Sequence, residues 1–369
     1  LFAEFNKTII KQYSMIKYFC NKNEIEQNAM DSIKHIENDV ESICVFPDIH
    51  YCSERSIPIG VSFKSKAVFY PLVTGKDIGC GVTFLRFNSK EWKKPFNKFQ
   101  HYNALNKMSQ SFTDEGLGGG NHFLSIEEGL DGNTYIICHT GTRNLGIYMY
   151  QHFISLIDKY NYDNNLNVEY LPIEMYDEEL HTKYQNILDI GISRRKTFVE
   201  KTLNFLCNNG YVDSKCEYDI VDSIHNVFRI DKQNNVAYHH KGATELNAYT
   251  TFGSNEVVIP ISMTRGSLIV KPKPGAYLHE NLWSCAHGAG RKLSRTDSLK
   301  YWHSLKSRDK KLYEQQFSEL LDRNGKFANG YLQEFDFAYK NSDTILSDQP
   351  FLKEVTRTKP IVTIKFTEI

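Results

Sequence analysis

Five stretches of the chain carry Asp, Cys or His, nearly all beside glycine: DIGCG at 77–81, GGGNHF at 118–123, HTGTRNLG at 139–146, HN at 225–226 and HGAGR at 287–291. Glycine lets a backbone bend sharply and approach a ligand closely. Donor side chains at such bends suit metal and phosphate. Asp77 and Cys80 lie three apart, so a carboxylate and a thiolate on one tight turn could share a metal, and the sulfur could bridge two. Taken alone, a turn with a capping Asp and a buried Cys is the more ordinary reading. The run GLGGGNHF exposes successive N–H groups able to cradle phosphate. No GK[ST] follows, so it is not a P-loop. Asn121 could take a phosphate oxygen or a metal, His122 a metal, and Phe123 could lie against a base. His139 and Arg143 share one loop after an apolar run, and arginine there suits bidentate phosphate binding. His225-Asn226 and His239-His240-Lys241-Gly242 both offer imidazoles, and spacing does not choose between them as the metal donor. His287 stands before Gly-Ala-Gly-Arg, where small neighbours leave room for a large substrate. It could act as ligand, base or nucleophile, since histidine can form a phosphoramidate. Arg291 and Arg295, one helical turn apart, could bind two phosphates.

These groups need rigid elements to hold them, and the recurrent pattern is strand, then ligand residue, then glycine. The spacing predicts helix over 9–42, a strand at Ile43–Phe46 and a turn at PDIH (47–50). Further strands are expected at Val61–Phe69, Val82–Phe87, Thr134–Cys138, Asn235–His239, Glu256–Ile261, Ser267–Lys271 and Ile361–Phe366. Helices are expected at Lys98–Ser111, 147–159, 174–208 and 297–323. The mixture predicts an α/β (α+β) fold of mixed β-sheets surrounded by helices. The motifs run from Asp77 to the C-terminal end with no Pro/Gly/Ser-rich linker, so residues 1–369 are expected to form one domain. Lys plus Arg equal Asp plus Glu at 44 each, which excludes a global attraction to nucleic acid and requires any basic groups to cluster locally. Eight cysteines without a CxxC pair argue against a zinc ribbon and favour a reducing compartment. No apolar run approaches the ~20 residues of a membrane span. Position 1 is Leu, which leaves a longer N-terminus or a removed targeting segment open.

Together the segments closely resemble the RtcB family of RNA ligases. The likeness begins at PDIH and continues through PIGVSF, DIGCGV, GGGNHF, HTGTRNLG, HN, HHKGAT, PISMTRGS, SCAHGAGRKLSR and AYK to PIVTIK at 360–365, in the family's order. The resemblance implies an RtcB-like fold with a deep central metal-containing cleft and a pair of manganese ions. Asp77, Cys80 and His122 would hold one ion, and Cys80, His139 and His225 the other, with Cys80 bridging. It makes His225 the donor and sets the 239–241 cluster along the cleft. His287 matches the nucleophile, which would take guanylate from GTP and pass it to an RNA 3′-phosphate, opened first where it is a 2′,3′-cyclic phosphate. A 5′-hydroxyl would then displace GMP. Asn121, Phe123, Asn226, Ser262, Ala289, Gly290, Tyr339 and Lys365 match nucleotide-binding positions. Arg143, Lys241, Arg291 and Arg295 would receive RNA phosphates. The partners so implied are RNAs with broken ends (tRNA halves, cleaved ribosomal or messenger RNA), together with an activating protein. A monomer in the cytoplasm, bound to no membrane, is expected.

The departures bear on specificity. Ser125 stands where relatives carry the Glu that reads the guanine edge; Glu127 or Glu128 nearby could compensate, and on a strand Glu127 shares the Ser125 face one step on. The family's GSMG is here Ile261-Ser262-Met263-Thr264, and the chain runs four residues past Lys365. This looks like a divergent branch, akin to the shorter RNA-repair paralogues. Two rivals to the ligase remain. One is a metal-dependent RNA-end phosphoesterase that has lost ligation. The other is an RNA-binding protein with a degenerate site, against which the retained donors, His287 and Lys365 argue.

Overall fold

The computed structural model describes residues 15–37, 40–51, 57–113, 115–246 and 255–365. In chain order the strands are β1 (Met15–Tyr18), β2 (Ser42–His50), β3 (Ile59–Lys66), β4 (Val68–Phe69), β5 (Gly81–Asn88), β6 (Phe123–Gly129), β7 (Asn133–Thr140), β8 (Leu171–Pro172), β9 (Tyr218–Ile224), β10 (Asn226–Asp231), β11 (Val236–Lys241), β12 (Ala243–Glu245), β13 (Val257–Ser262), β14 (Gly266–Pro272), β15 (Ser284–Ala286) and β16 (Leu352–Ile364). The helices are α1 (Gln27–Glu37), α2 (Lys98–Ser109), α3 (Asn144–Asn164), α4 (Glu178–Asn208), α5 (Arg295–Ser304), α6 (Ser307–Gln316), α7 (Asn329–Leu332) and α8 (Ser342–Asp348).

Two sheets organise the chain. One is antiparallel, in the order β13-β14-β16-β6-β7-β5-β9. The other runs β1-β2-β3-β11-β10, with β1 and β2 parallel and the remaining pairs antiparallel. Strand β7 reads NTYIICHT and is buried from Thr134 to Thr140, as suits a β-branched and aromatic run inside a sheet. Helix α4 links the layers. Asp177 caps it by accepting the Leu180 N–H at 2.8 Å, and Glu178 and Glu179 complement its positive end. Its Leu180, Tyr184 and Leu188 pack into the core of the five-stranded sheet, while Phe198, Val199 and Leu206 pack into that of the seven-stranded sheet. Mixed sheets with helices around them are the α+β architecture expected from the sequence.

Several local expectations change. PDIH is not a turn but the end of β2, where the register against β3 shifts between Val45 and His50. Proline lacks the ladder N–H and belongs at such a bulge. Met15–Tyr18 is a strand rather than helix, because it pairs with β2; in that region helix is confined to Gln27–Glu37, and residues 9–14 and 38–39 lie outside the described residues. The helix expected over 297–323 breaks at Leu305, whose backbone is extended (φ −61°, ψ 143°). The break lets Trp302 and Tyr313 meet edge to face at 5.8 Å between centroids. In a straight helix their separation would be about 16 Å. Strands β6, β8, β9, β10, β12 and β15 were not expected. Ile361–Ile364 is the end of the long β16, and Phe366 lies outside the described residues.

His239 does not line a cleft. Its ring stacks on Phe63 at 4.3 Å in the core, and its Nε2 accepts the Tyr70 N–H at 2.9 Å. His240 is buried beside Ser284, 2.9 Å from Nδ1 to the hydroxyl. Burial holds His239 down at about 3 and His240 at about 4. An unfolded chain binds both protons near pH 6.5, before the folded chain does. Stability is therefore fully present above that pH and falls as pH drops towards the folded values, by on the order of 1.4 kcal/mol per unit for each ring. The melting temperature is expected to fall from pH 6.5 to 4, and His239→Gln to remove that ring's share of the slope.

Candidate active site

The sheet order brings the donors together. Cys80 enters β5, His139 sits near the end of β7, His225 follows β9 and His122 precedes β6. Because β6, β7, β5 and β9 are adjacent and antiparallel, all four residues fall at one end of the sheet. Cys80 Sγ lies 3.6 Å from His122 Nε2 and 3.3 Å from His139 Nε2. His139 Nε2 is 3.3 Å from His225 Nε2, and Asp77 Oδ2 is 2.9 Å from His122 Nε2. Gly141 leaves space for Asp77, since a Cβ there would lie 1.9 Å from Asp77 Oδ1.

The protonation pattern suits a cation. Burial and the neighbouring rings push His139 and His225 well below the usual histidine range, so both are neutral. Burial opposes ionisation of Asp77, but the facing His122 holds its carboxyl at about 2. Burial and the Asp77 charge push the Cys80 thiol well up, which a bound cation would reverse. His139 Nδ1–H donates to the Asn121 carbonyl at 3.2 Å, so its Nε2 turns a lone pair towards Cys80 and His225. His225 Nδ1 is buried with no hydrogen-bond partner. Lone pairs of two imidazoles and a sulfur converging in a dry space are what a metal ion satisfies. The donor atoms of Cys80, His122 and His139 lie within 4.8 Å of one another, and this buried cluster could hold a metal ion. Oxygen, nitrogen and sulfur donors together form an intermediate set.

His287 follows β15, and its ring centroid is 4.8 Å from that of His225. Asp48 on β2 holds it. One carboxylate oxygen accepts from His287 Nδ1–H, from the His287 backbone N–H at 3.0 Å and from the Gly288 N–H at 3.1 Å. Burial lowers the basicity of this ring, but the Asp48 charge outweighs it and the net shift is upward. Within PDIH, expected as a turn and as the start of the family likeness, Asp48 carried no expected role. A lone carboxylate in an apolar stretch was the signal for a paired buried acid.

A cavity of about 590 Å³ opens beside His287. Of the nucleotide-binding candidates, Asn121, Phe123, Ser262, Ala289, Gly290, Tyr339 and Lys365 line it. Asn226 does not. Its side chain accepts the Gly242 N–H at 2.9 Å and reaches the Asp77 carbonyl at 3.3 Å, tying the donor turn to β10. Of the phosphate-binding candidates, Arg291 and Arg295 line the cavity, whereas Arg143 and Lys241 stand outside its lining. Arg143 begins α3 with a left-handed backbone (φ 57°), and its Nε is buried without a hydrogen-bond partner. Lys241 is buried on β11, opposite Asn226.

Glu334, and Glu127 on the face of Ser125, also line the cavity. Glu334 accepts from the Tyr339 hydroxyl and lies 3.6 Å from both Arg291 and Lys365. Arg291 is stacked on the Tyr339 ring at 5.1 Å. Glu127 is 2% exposed and accepts from the hydroxyls of Ser125 at 2.6 Å, Ser267 at 3.4 Å and Thr358. Burial nonetheless raises its pKa. Ser125 itself is buried, and Glu127 is the one of the two that lines the cavity.

A family profile described as tRNA-splicing ligase RtcB matches residues 94–366. The chain is 25% identical to the RNA-splicing ligase RtcB2 of Escherichia coli, over 92% of this chain and 93% of that one. It is 26% identical to the tRNA-splicing ligase RtcB of Nanoarchaeum equitans, over 84% and 74% respectively. It is 23% identical to the RNA-splicing ligase RtcB of Escherichia coli strain K12, over 88% and 90%. No helix among the described residues is long and apolar enough to cross a membrane. With the profile matching residues 94–366, most of the chain, the protein belongs to the RtcB family.

Proposed function

We propose that this chain is an RNA ligase that joins RNA 3′-phosphate or 2′,3′-cyclic phosphate ends to 5′-hydroxyl ends through a guanylated His287, using GTP and two manganese ions. The observation that carries this reading is His287, held by Asp48, standing between the Cys80–His122–His139 cluster and a cavity of about 590 Å³. A volume of that size suits a nucleotide.

Asp48 holds the Nδ1 proton and leaves the Nε2 lone pair as the nucleophile. Nε2 attacks the α-phosphorus of GTP, the bond to the bridging oxygen breaks and pyrophosphate leaves. The ring then carries positive charge, which the Asp48 carboxylate offsets. An RNA 3′-phosphate oxygen attacks the same phosphorus, which frees His287 and leaves GMP on the RNA end. The 5′-hydroxyl then attacks the terminal phosphorus and GMP departs. Phe123 and Tyr339 flank the purine, with Asn121, Ser262, Ala289, Gly290 and Lys365 around the nucleotide, while Arg143, Lys241, Arg291 and Arg295 serve RNA phosphates. Asp77, Cys80 and His122 would hold one manganese and Cys80, His139 and His225 the other, supplying charge neutralisation for the phosphates. Residues 1–369 act as one RtcB-like catalytic domain, a monomer in the cytoplasm. The contribution of α4 to both cores supports a single domain.

Incubation with α-labelled GTP and manganese is expected to yield a covalently labelled protein band, and addition of RNA halves a joined product. Release of phosphate from RNA ends with no labelled band would instead favour the phosphoesterase. Glu127 is assigned the purine edge. A carboxylate accepts from the N1–H and 2-amino groups of guanine, whereas adenine offers no N–H at that position. Glu127→Gln is expected to reduce the preference for GTP over ATP about tenfold or more, read as competition for labelling. An unchanged ratio would remove Glu127 from base reading.

A further inference from the structure

We infer that Arg195 is a positioning residue that fixes the backbones carrying the metal donors Cys80, His139 and His225 relative to one another. The inference rests on the metal reading of that cluster. Arg195 projects from α4, and its side chain is 0% exposed. Its guanidinium is bonded on every side. Nε and Nη2 donate to the two Asp222 oxygens at 2.7 and 2.9 Å, and Nη1 donates to the carbonyls of Gly79 at 2.7 Å and Thr140 at 3.0 Å. Gly79 immediately precedes Cys80, Thr140 immediately follows His139, and Asp222 stands three residues before His225 on β9. One planar group thus joins three donor-bearing segments that are distant in sequence. Thr83 on β5 donates to the same Asp222 carboxylate, which closes the network on the strand that follows Cys80.

The chain makes room for this clamp. A Cβ at Gly81 would lie 2.2 Å from the Ser223 carbonyl oxygen and 2.9 Å from Arg195 Cζ. Both the charge and the fork are needed. Asp222 balances a cation that would otherwise be costly to bury. Only a planar guanidinium can hold a carboxylate along one edge and two carbonyls on its remaining nitrogen. Lysine keeps the charge and loses that geometry. Groups behind metal ligands typically change metal affinity by about 10–100-fold when replaced.

The test is titration of the full chain with Mn(II) alone, following free ion by electron paramagnetic resonance at a temperature where circular dichroism shows each protein folded. Arg195→Lys is expected to bind Mn(II) about 10–100-fold more weakly than wild type. Arg229→Lys is the control. Arg229 forms a comparable pair with Glu245, at 3.0 and 2.8 Å, and its loss is expected to lower the melting temperature and leave Mn(II) affinity unchanged. Wild-type affinity in Arg195→Lys, or equal loss in the control, would overturn the positioning role. If Arg195→Lys does not fold, Asp222→Asn is expected to show the same weakening, and wild-type affinity there overturns the role equally. Failure of wild type itself to bind Mn(II) would sink the metal reading instead, which separates the two failures.

Discussion

His287→Ala is expected to abolish covalent labelling by α-labelled GTP while leaving the far-ultraviolet circular dichroism unchanged. The side chain follows β15, meets Asp48 and the His225 ring and lines the cavity, so its loss removes the nitrogen that faces the nucleotide. Asp48→Asn gives the graded version. It keeps an oxygen for the backbone N–H groups of His287 and Gly288, and it removes the negative charge that faces the ring once Nε2 has bonded to phosphorus. A hydrogen bond to a charged group contributes about 1.5–3 kcal/mol, so labelling is expected to slow by about 10–100-fold. Time courses of band intensity measure both effects. Labelling at the wild-type rate in His287→Ala would move the nucleophile to another residue and end the proposed mechanism.

Cys80→Ala is expected to abolish both Mn(II) binding and labelling. Its sulfur lies within 3.6 Å of His122 and 3.3 Å of His139, so it is the donor between the Asp77 side of the cluster and the His225 side. Removing a shared ligand should weaken both positions together, whereas His122→Ala or His225→Ala should weaken one side first. Equilibrium dialysis against Mn(II), alongside labelling, distinguishes these patterns. Substantial labelling by Cys80→Ala would contradict a bridging sulfur. Retained Mn(II) binding with lost labelling would place Cys80 in the chemistry rather than in the metal site.

Much of the site was legible from residue types. The segments holding Asp77, Cys80, His122 and His139 announced themselves, because a donor beside glycine at a strand end is a local arrangement with a local signature. Strand β7 was legible from its composition, as Thr134, Tyr135, Ile136 and Ile137 are β-branched or aromatic and lead through Cys138 to His139. Asp48 was hidden. Its partner is 239 residues away, and nothing near PDIH states that a histidine will donate to it. Glu334 and Arg195 were hidden likewise, each bonded to residues from distant segments.

The two histidine pairs show where local pattern stops. His225 and His239 were equal as donors by spacing, and the choice between them came from likeness to a family. In the fold, one ring enters the cluster beside Cys80 and the other stacks on Phe63. The amino-acid order sufficed for the kinds of group available, for strands β5 and β7 and the glycine turns beside them, and for the mixed α+β class. Packing of β5, β7 and β9 under α4 selected which donors meet, the approach of β15 to β2 selected the carboxylate that grips His287, and β6 set Glu127 rather than Ser125 along the cavity. The physical reason is that backbone propensity acts over a few neighbouring residues. Burial and charge pairing act between segments hundreds of positions apart, and those contacts exist only once the sheets have closed.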